Sequence, residues 1–224
     1  MKNFDSNQET QSSLSALQAV LVNSLFNLPS NRHSKTSFVI FYRKAGVKVF
    51  ATATSSSIQL LQSHFGLESS HIIDYSGLSA EQISEKAIAA NGGRGFDATV
   101  DLYGGQTMKQ VCVESLATSG QFATIVEEEK HKNYVALWPS ESDKSLFSKN
   151  GTIHTVFVLA AASGKKEEWF WLREHLKKLA DDFDNGTLEK PLLEVVGGLS
   201  AESVKKAHEL LEQHKAHKKL VMTV

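Results

Sequence analysis

Two short clusters of polar residues and glycines follow apolar runs of the sequence and offer groups suited to ligand binding. The first is Thr54–Ser56, directly after the run VKVFATA. Its hydroxyls can donate hydrogen bonds to a phosphate, and a serine there can equally cap the first turn of a helix. The second is Tyr103–Gly105, after a run that ends in Asp101, which could itself cap a helix or bind a hydroxyl. Glycines let a ligand approach the backbone closely, although an ordinary turn between a strand and a helix contains them too.

The other reactive side chains do not form a recognisable metal site or nucleophilic centre. His208, His214 and His217 lie close together in the sequence, but no cysteine or carboxylate completes a compact metal-binding set. We interpret them as surface histidines. Cys112, the single cysteine, stands between two valines in a predicted helix, which is typical of a small buried apolar residue.

The composition excludes several classes of protein. The 224 residues include 24 basic and 25 acidic ones, so the charge gives no reason to expect a nucleic-acid partner. The apolar run TVFVLAAA is too short to span a bilayer, and the polar N-terminus lacks the apolar core of a signal peptide. One cysteine excludes an internal disulfide. We therefore expect a cytoplasmic protein with no membrane partner.

Strand and helix patterns alternate from residue 46 onward. Apolar runs predict strands at 47–53, 71–74, 97–101 and 121–126, and the segments between them read as helices closed by glycines. Ser79 and Gln82 have the spacing of a capping box at the start of one helix, and Gly92 follows its end. Short apolar strands that alternate with helices predict an α/β fold, with a mostly parallel sheet and helices on both of its faces.

The two ends of the chain are less regular. Residues 1–13 are polar and predicted to be disordered, and AVLV within 14–28 could belong to a helix or begin a strand. The segment 36–45 reads as a strand by propensity. The family resemblance given below implies the end of a helix instead, and we favour the helix because RKAG then supplies basic residues and a glycine at its C-terminus. Further on, TIHTVFVLAAA predicts a strand, 165–186 and SAESVKKAHELLEQHK predict helices, and KKLVMTV predicts a last strand. No linker demands two domains, so 14–224 is predicted to be one.

Five segments, in order, resemble the nucleotide-binding half of the medium-chain dehydrogenase/reductase superfamily. They are AGVKVFATATSS, HIIDY, NGGRGFDATVDLYGG, NGTIHTVFVL and the C-terminal tail that begins NGTLEKP. The likeness is strongest to the zinc-independent, quinone oxidoreductase-like branch and covers residues 45–224, whereas residues 14–45 are divergent. The resemblance implies a Rossmann-type, doubly wound fold that binds NADP(H).

Two departures from the family pattern bear on function. The family carries a separate N-terminal domain that supplies much of the substrate pocket, and we expect it to be missing here. The family's glycine-rich phosphate loop is also missing, because no glycine precedes Gly46 and its expected position reads PSNRHSKTS. Arg32 and Lys35, at the start of a helix, could attract an anion instead, but a solvated basic loop is the more ordinary interpretation.

The candidate cofactor residues come partly from the residues themselves and partly from the resemblance. Hydroxyls in place of an acidic residue after the second strand favour NADP(H) over NAD(H). The resemblance adds a tyrosine near the 2′-phosphate, two residues of a nicotinamide wall and a basic residue in the tail. The candidates are Thr54, Ser55, Ser56, Tyr75, Tyr103, Gly104, Gly105, Phe157, Val158 and Lys218.

The resemblance predicts an NADPH-dependent reductase of the quinone reductase type, with a small-molecule quinone, enone or carbonyl as electron acceptor. A non-catalytic remnant or interaction module that keeps the fold is the alternative. TIHTVFVLAAA is apolar on both faces, which suits a strand buried on both sides. In the family the corresponding edge strand pairs with its twin, so we predict a homodimer with Ile153, Val156 and Val158 near the joint.

Overall fold

The computed structural model describes residues 19–23, 46–63, 65–126, 144–157, 160, 163–164, 166, 169–188, 193–213, 216 and 218–224. Its contacts divide these residues into two compact units, one up to Val156 and one from Phe157 onward. Each unit is described by itself, and a single domain over 14–224 stays a prediction. Among the described helices, none is long and apolar enough to cross a bilayer.

The first unit is built on a six-stranded sheet. Its strands are β1 (Ala19–Asn23), β2 (Lys48–Ala53), β3 (Ile72–Asp74), β4 (Phe96–Asp101), β5 (Leu116–Thr124) and β6 (Thr152–Thr155). Their order across the sheet is β3-β2-β1-β4-β5-β6, and every neighbouring pair is parallel. This is the strand order of the doubly wound dinucleotide-binding fold. The predicted α/β, Rossmann-type fold is confirmed, as is the strand alternative for AVLV.

The sheet is apolar because its central strands are covered on both faces. Val20, Leu21 and Val22 in β1 are completely buried, as is typical of parallel sheets. Phe50 in β2 and Phe96 in β4 meet edge to face, with ring centroids 5.2 Å apart. Burying one such side chain stabilises the fold by about 1.5–3 kcal/mol.

Three helices connect these strands within the described residues: α1 (Ser55–Ser63), α2 (Ala80–Ala90) and α3 (Gln106–Ser115). The predicted capping box begins α2, where the Ser79 hydroxyl accepts from the backbone N–H of Gln82 and the Gln82 side chain accepts from that of Ser79. Helix α2 ends before Gly92, whose φ of 71° only glycine adopts readily. Ala87 of α2 and Val111 of α3 belong to the same buried cluster as Phe50.

The boundary between α3 and β5 corrects the sequence prediction. The helix was predicted to run to Gly120 and the strand to begin at 121, but Leu116 is already extended and begins β5. Two distant backbones approach closely at this boundary: a side chain on Gly95 would lie 2.7 Å from the backbone nitrogen of Ala117. The extended chain fits beside Gly95 without such a clash, and the register shifts between Phe96 and Ala98.

Strand β6 lies at the edge of the sheet, as the resemblance implied. Ile153 is half-buried and packs against the core, whereas Thr152, His154 and Thr155 are exposed. The expectation that both faces of this strand are buried is therefore wrong for the isolated chain. The described strand ends at Thr155, and Val158 lies outside the described residues.

The second unit contains α4 (Trp169–Asp184), β7 (Leu193–Gly198), α5 (Ala201–Glu212) and β8 (Lys219–Thr223). Strands β7 and β8 pair in parallel as a two-stranded sheet. The long helix ends before Gly186, as predicted, and Ser200 caps α5 through the backbone N–H of Ser203. Strand β7 had no counterpart in the sequence prediction. The predicted helix at 36–45 lies outside the described residues.

Candidate functional site

The candidate clusters lie on the same side of the six-stranded sheet, at the carboxyl ends of its strands, which we call the carboxyl edge. Because all its strands are parallel, their carboxyl ends lie on the same side. Thr54 follows β2, Tyr75 follows β3 and Tyr103 follows β4. Strand β1 is paired with β2 on one side and β4 on the other, so the chain direction across the sheet reverses there. Ligands of such sheets bind outside the carboxyl ends of the strands at this switch point.

The hydroxyl cluster after β2 is joined to a carboxylate from the neighbouring strand. The Ser55 hydroxyl donates to Oδ2 of Asp74 at 2.7 Å, and the Ser76 backbone N–H donates to Oδ1 at 2.9 Å. The Ser55 backbone N–H donates to the Ser76 hydroxyl at 3.3 Å. Hydrogen bonds from the Ser76 side chain, then from the Ser55 side chain and the Ser76 backbone N–H, hold the pKa of the Asp74 carboxyl below its usual range. The carboxylate is therefore ionised at neutral pH.

Asp74 changes what the hydroxyls can do for a ligand. A hydroxyl has one proton to donate, and in this arrangement Ser55 gives it to Asp74. Thr54 lies 3.1 Å from Ser56 and 3.3 Å from Ser57, oxygen to oxygen, so these groups are also linked to one another. A phosphate that approached this edge would compete with the carboxylate for the same donors.

Tyr75 lies beside this cluster, and its contacts support the sheet. Its backbone N–H donates to the carbonyl of Ala53 at 3.1 Å, and its half-buried side chain packs against the core. These contacts are those of a half-buried tyrosine at the end of a strand. The role of Tyr75 near a phosphate stays a prediction.

The turn after β4 contains two glycines in the left-handed region. Gly104 has a φ of 86° and Gly105 a φ of 81°, and a side chain on Gly105 would meet nothing within 4 Å. Tyr103, the first residue of the turn, is 38% exposed. The arrangement leaves open space against the backbone at the switch point, which fits the close approach of a ribose or a nicotinamide ring.

Asp101 anchors this turn from below. Its Oδ1 accepts from the backbone N–H groups of Tyr103 at 3.0 Å and Gly104 at 2.8 Å. Its Oδ2 accepts from the Lys109 ammonium at 3.2 Å and from the Thr124 hydroxyl at 3.3 Å. The side chains of Asp101 and Lys109 are both completely buried. The sequence indicated a helix cap or a bound hydroxyl for Asp101. The structure has a bound hydroxyl, that of Thr124, whereas α3 begins without a side-chain cap. Sequence reasoning missed Lys109.

Three predicted site residues are not brought to this edge by the described contacts. Phe157, 64% exposed, and Lys218, also exposed, belong to the second unit. Val158 lies outside the described residues. Their part in a nicotinamide wall or in phosphate binding stays a prediction.

The described residues contain no group of three or more histidines, cysteines or carboxylates that could hold a metal ion. His208 is exposed on α5, while His214 and His217 are not among the residues that the structure describes. Cys112 is completely buried, which confirms its interpretation as a packed apolar residue.

Comparisons with known proteins agree with this geometry. Residues 67–222 match the family model described as zinc-binding dehydrogenase. Among solved structures, the enoyl reductase CurK is 19% identical with a TM-score of 0.66, and the match covers 94% of this chain and 57% of CurK. An alcohol dehydrogenase superfamily protein from Novosphingobium aromaticivorans is 20% identical with a TM-score of 0.66, over 92% of this chain and 56% of that protein.

A third structure was solved with a bound nucleotide. CurA from Vibrio vulnificus, in complex with NADPH, is 13% identical with a TM-score of 0.62, over 96% of this chain and 62% of CurA. The present chain therefore spans a little over half of the length of these proteins. None of the curated proteins matches it by sequence.

Proposed function

This chain belongs to the zinc-binding dehydrogenase family, in the nucleotide-binding half of the medium-chain dehydrogenase/reductase superfamily, and on that premise we propose that it binds NADP(H) and serves in the reduction of a quinone, an enone or another carbonyl acceptor. The observation that carries the proposal is the pair of left-handed glycines, Gly104 and Gly105, at the switch point of a six-stranded parallel sheet. The NADPH complex of CurA supports the choice of cofactor.

In this proposal the two clusters hold opposite ends of the cofactor. Thr54, Ser55 and Ser56 face the adenosine phosphate, and Tyr75 flanks it. Gly104 and Gly105 give the ribose and nicotinamide room against the backbone, beside Tyr103. When bound, NADPH supplies the reducing equivalent. The chain's residues bind and orient it.

Binding is tested by thermal unfolding of the purified protein in buffer, with NADPH and with NADH. A ligand at a hundred times its dissociation constant adds about 2.7 kcal/mol to the free energy of unfolding. For a chain of this size that raises Tm by roughly 5–10 °C. We expect this shift with NADPH and a smaller one with NADH. No shift with millimolar amounts of either nucleotide would contradict the proposal.

The acceptor is tested by the loss of NADPH absorbance with a quinone and, separately, with an enoyl thioester. The quinone reductase assignment expects the faster turnover with the quinone. Faster turnover with the thioester would assign the chain to the enoyl reductases, the activity in the name of CurK. Binding without turnover of either would favour the non-catalytic alternative, which the lack of any glycine between residues 1 and 45 supports.

We also propose a homodimer joined at β6. Val156 is 46% exposed beyond the end of this edge strand, while its backbone N–H bonds to Thr124 on the inner side. Pairing with a second copy would cover the exposed edge. Light scattering should give twice the mass of the chain, and Val156→Lys should halve it while the helical circular dichroism stays unchanged. A wild-type monomer at micromolar concentration would disprove the dimer.

A further inference from the structure

The Asp101–Lys109 pair has no role in the proposed chemistry and is nevertheless the most costly arrangement of charge among the described residues. Neither side chain has any exposed surface. The attraction between two opposite charges does not by itself offset the free energy of removing both from water. Two well-packed apolar residues in their place often stabilise a fold equally well. The pair therefore requires an explanation other than stability.

The hydrogen bonds of the Asp101 carboxylate divide between its two oxygens. Among the described residues, Oδ1 accepts from backbone N–H groups of the turn, those of Tyr103 and Gly104. Oδ2 accepts from Lys109, which lies one turn into α3, and from Thr124 at the end of β5. The carboxylate thus connects the turn to β4, which carries Asp101, and through hydrogen bonds to α3 and β5.

The two glycines of the turn do not fix its conformation by themselves. Gly104 and Gly105 have the widest choice of backbone conformation of any residue type. Gly105 begins α3 without a side chain that caps the helix. The position of Asp101 also matters. It is paired with Asn23 of the neighbouring strand β1, at the switch point of the sheet.

We propose that Asp101 is a positioning residue for the Tyr103–Gly105 turn, and that Lys109 is the counter-charge that lets its carboxylate stay buried there. The inference rests on the proposed function, because the conformation of the turn affects binding only if the cofactor docks on it. It predicts that cofactor affinity depends on the acceptor atom that holds the turn, and not on the charge of the pair.

Two double variants separate these contributions. Asp101→Asn with Lys109→Met removes both charges but keeps an amide oxygen that accepts from the turn. Asp101→Leu with Lys109→Met removes both charges and the acceptor, with similar volume. We expect the asparagine variant to keep its NADPH dissociation constant within about three-fold and the leucine variant to lose about ten-fold or more, as expected for one or two lost hydrogen bonds. Equal affinity of the two variants would overturn the proposal.

Hydrogen exchange gives a readout that needs no cofactor. The amides of Tyr103 and Gly104 should be protected in the wild type and the asparagine variant, and should exchange about ten-fold faster in the leucine variant, while the amides of β4 and α2 stay unchanged. Protection of the turn that survives in the leucine variant would overturn the anchor. Should that variant not fold, unprotected turn amides in the wild-type protein would overturn it equally.

The two failures can be told apart. A wild-type protein that binds neither nucleotide contradicts the proposed function, and the exchange of the turn amides then decides on the anchor alone. A wild-type protein that binds NADPH, with both double variants matching it in affinity and exchange, leaves the proposed function intact and removes the role of Asp101.

Discussion

The two clusters at the carboxyl edge of the sheet are built on opposite physical terms. After β2 and β3, Ser55, Ser76 and Asp74 form a network that is open to water, in which one carboxylate collects hydroxyl and amide protons. After β4, Asp101 collects a similar set of donors, but it is fully buried and needs Lys109 to neutralise it. A solvated carboxylate can be lost at little cost to stability, whereas a buried one cannot lose its partner cheaply.

The contrast separates two roles: the open cluster suits the choice between cofactors, and the buried pair suits the conformation of the glycine turn. The open cluster can change its charge without harming the fold, so it suits the discrimination of one cofactor from another. The buried pair fixes a glycine turn, so it suits the shape that any cofactor meets. Substitutions in the first cluster should change affinity and leave Tm unchanged, and substitutions in the second should change Tm first.

The largest expected effect comes from Lys109→Met alone. It leaves the Asp101 carboxylate buried without its counter-charge, which should lower the free energy of unfolding by about 3–5 kcal/mol. Urea unfolding measures this loss directly. Lys206→Met, at an exposed position on α5, is the matched control and should change stability by less than about 0.5 kcal/mol. A Lys109 variant as stable as the control would erase the contrast between the clusters.

The next effect is Ser55→Asp, which adds a second negative charge beside Asp74. In a partly solvated site, a unit charge opposes the 2′-phosphate by roughly 1 kcal/mol, so NADPH should bind several-fold more weakly. NADH, which lacks that phosphate, should gain in relative preference. Ser55→Asn is the control of equal size without the charge. A preference that does not move in calorimetric titrations would mean that this edge does not contact the phosphate.

A smaller change in the opposite direction is expected from Asp74→Asn. It removes the negative charge and leaves the Ser55 hydroxyl free to donate to a phosphate, so NADPH should bind about three-fold more tightly, with NADH nearly unchanged. The same titrations measure it. Weaker binding of NADPH would show that Asp74 orients the hydroxyls in a way that the phosphate uses.

The smallest effect is a pH dependence of stability. The pKa of Asp74 is lowered in the folded state, so its contribution is present above the unfolded pKa of about 3.9 and is lost as pH falls through the folded value. Between neutral pH and about pH 3, the free energy of unfolding should fall slightly more steeply for the wild type than for Asp74→Asn. Identical slopes would mean that Ser55 and Ser76 do not stabilise the carboxylate.

Local patterns were sufficient for most of the first unit. Apolar runs bounded by glycines located β2, β3 and β4 to within about a residue, and the Ser79–Gln82 spacing identified the start of α2. These features depend on a few neighbouring residues, which the sequence displays directly. The start of β5 instead lies where the backbones of Gly95 and Ala117 approach closely, a contact between distant segments that no local pattern reveals.

The candidate site divides in the same way. The ends of β2 and β4 were found because a strand end can be read locally. The bond between Ser55 and Asp74 needs the order of strands across the sheet, which places β3 beside β2. Lys109 was passed over because a lysine on a helix is ordinarily solvated. Its burial follows from the packing of α3 against β4 and β5, and Asp101 is the only local hint of a partner.

The position of β1 has a consequence for how the chain acquires its structure. Val20, Leu21 and Val22 of this strand are completely buried, and its partners β2 and β4 both come later in the sequence, the second of them far along the chain. During synthesis its apolar face must remain unpaired until those partners have left the ribosome. Pairing across such separations is slow, because closing the long intervening loop costs conformational entropy before any stabilising contact has formed. Nascent chains should therefore depend on chaperones, and production at low temperature should raise the yield of soluble protein by giving this strand time to find β4.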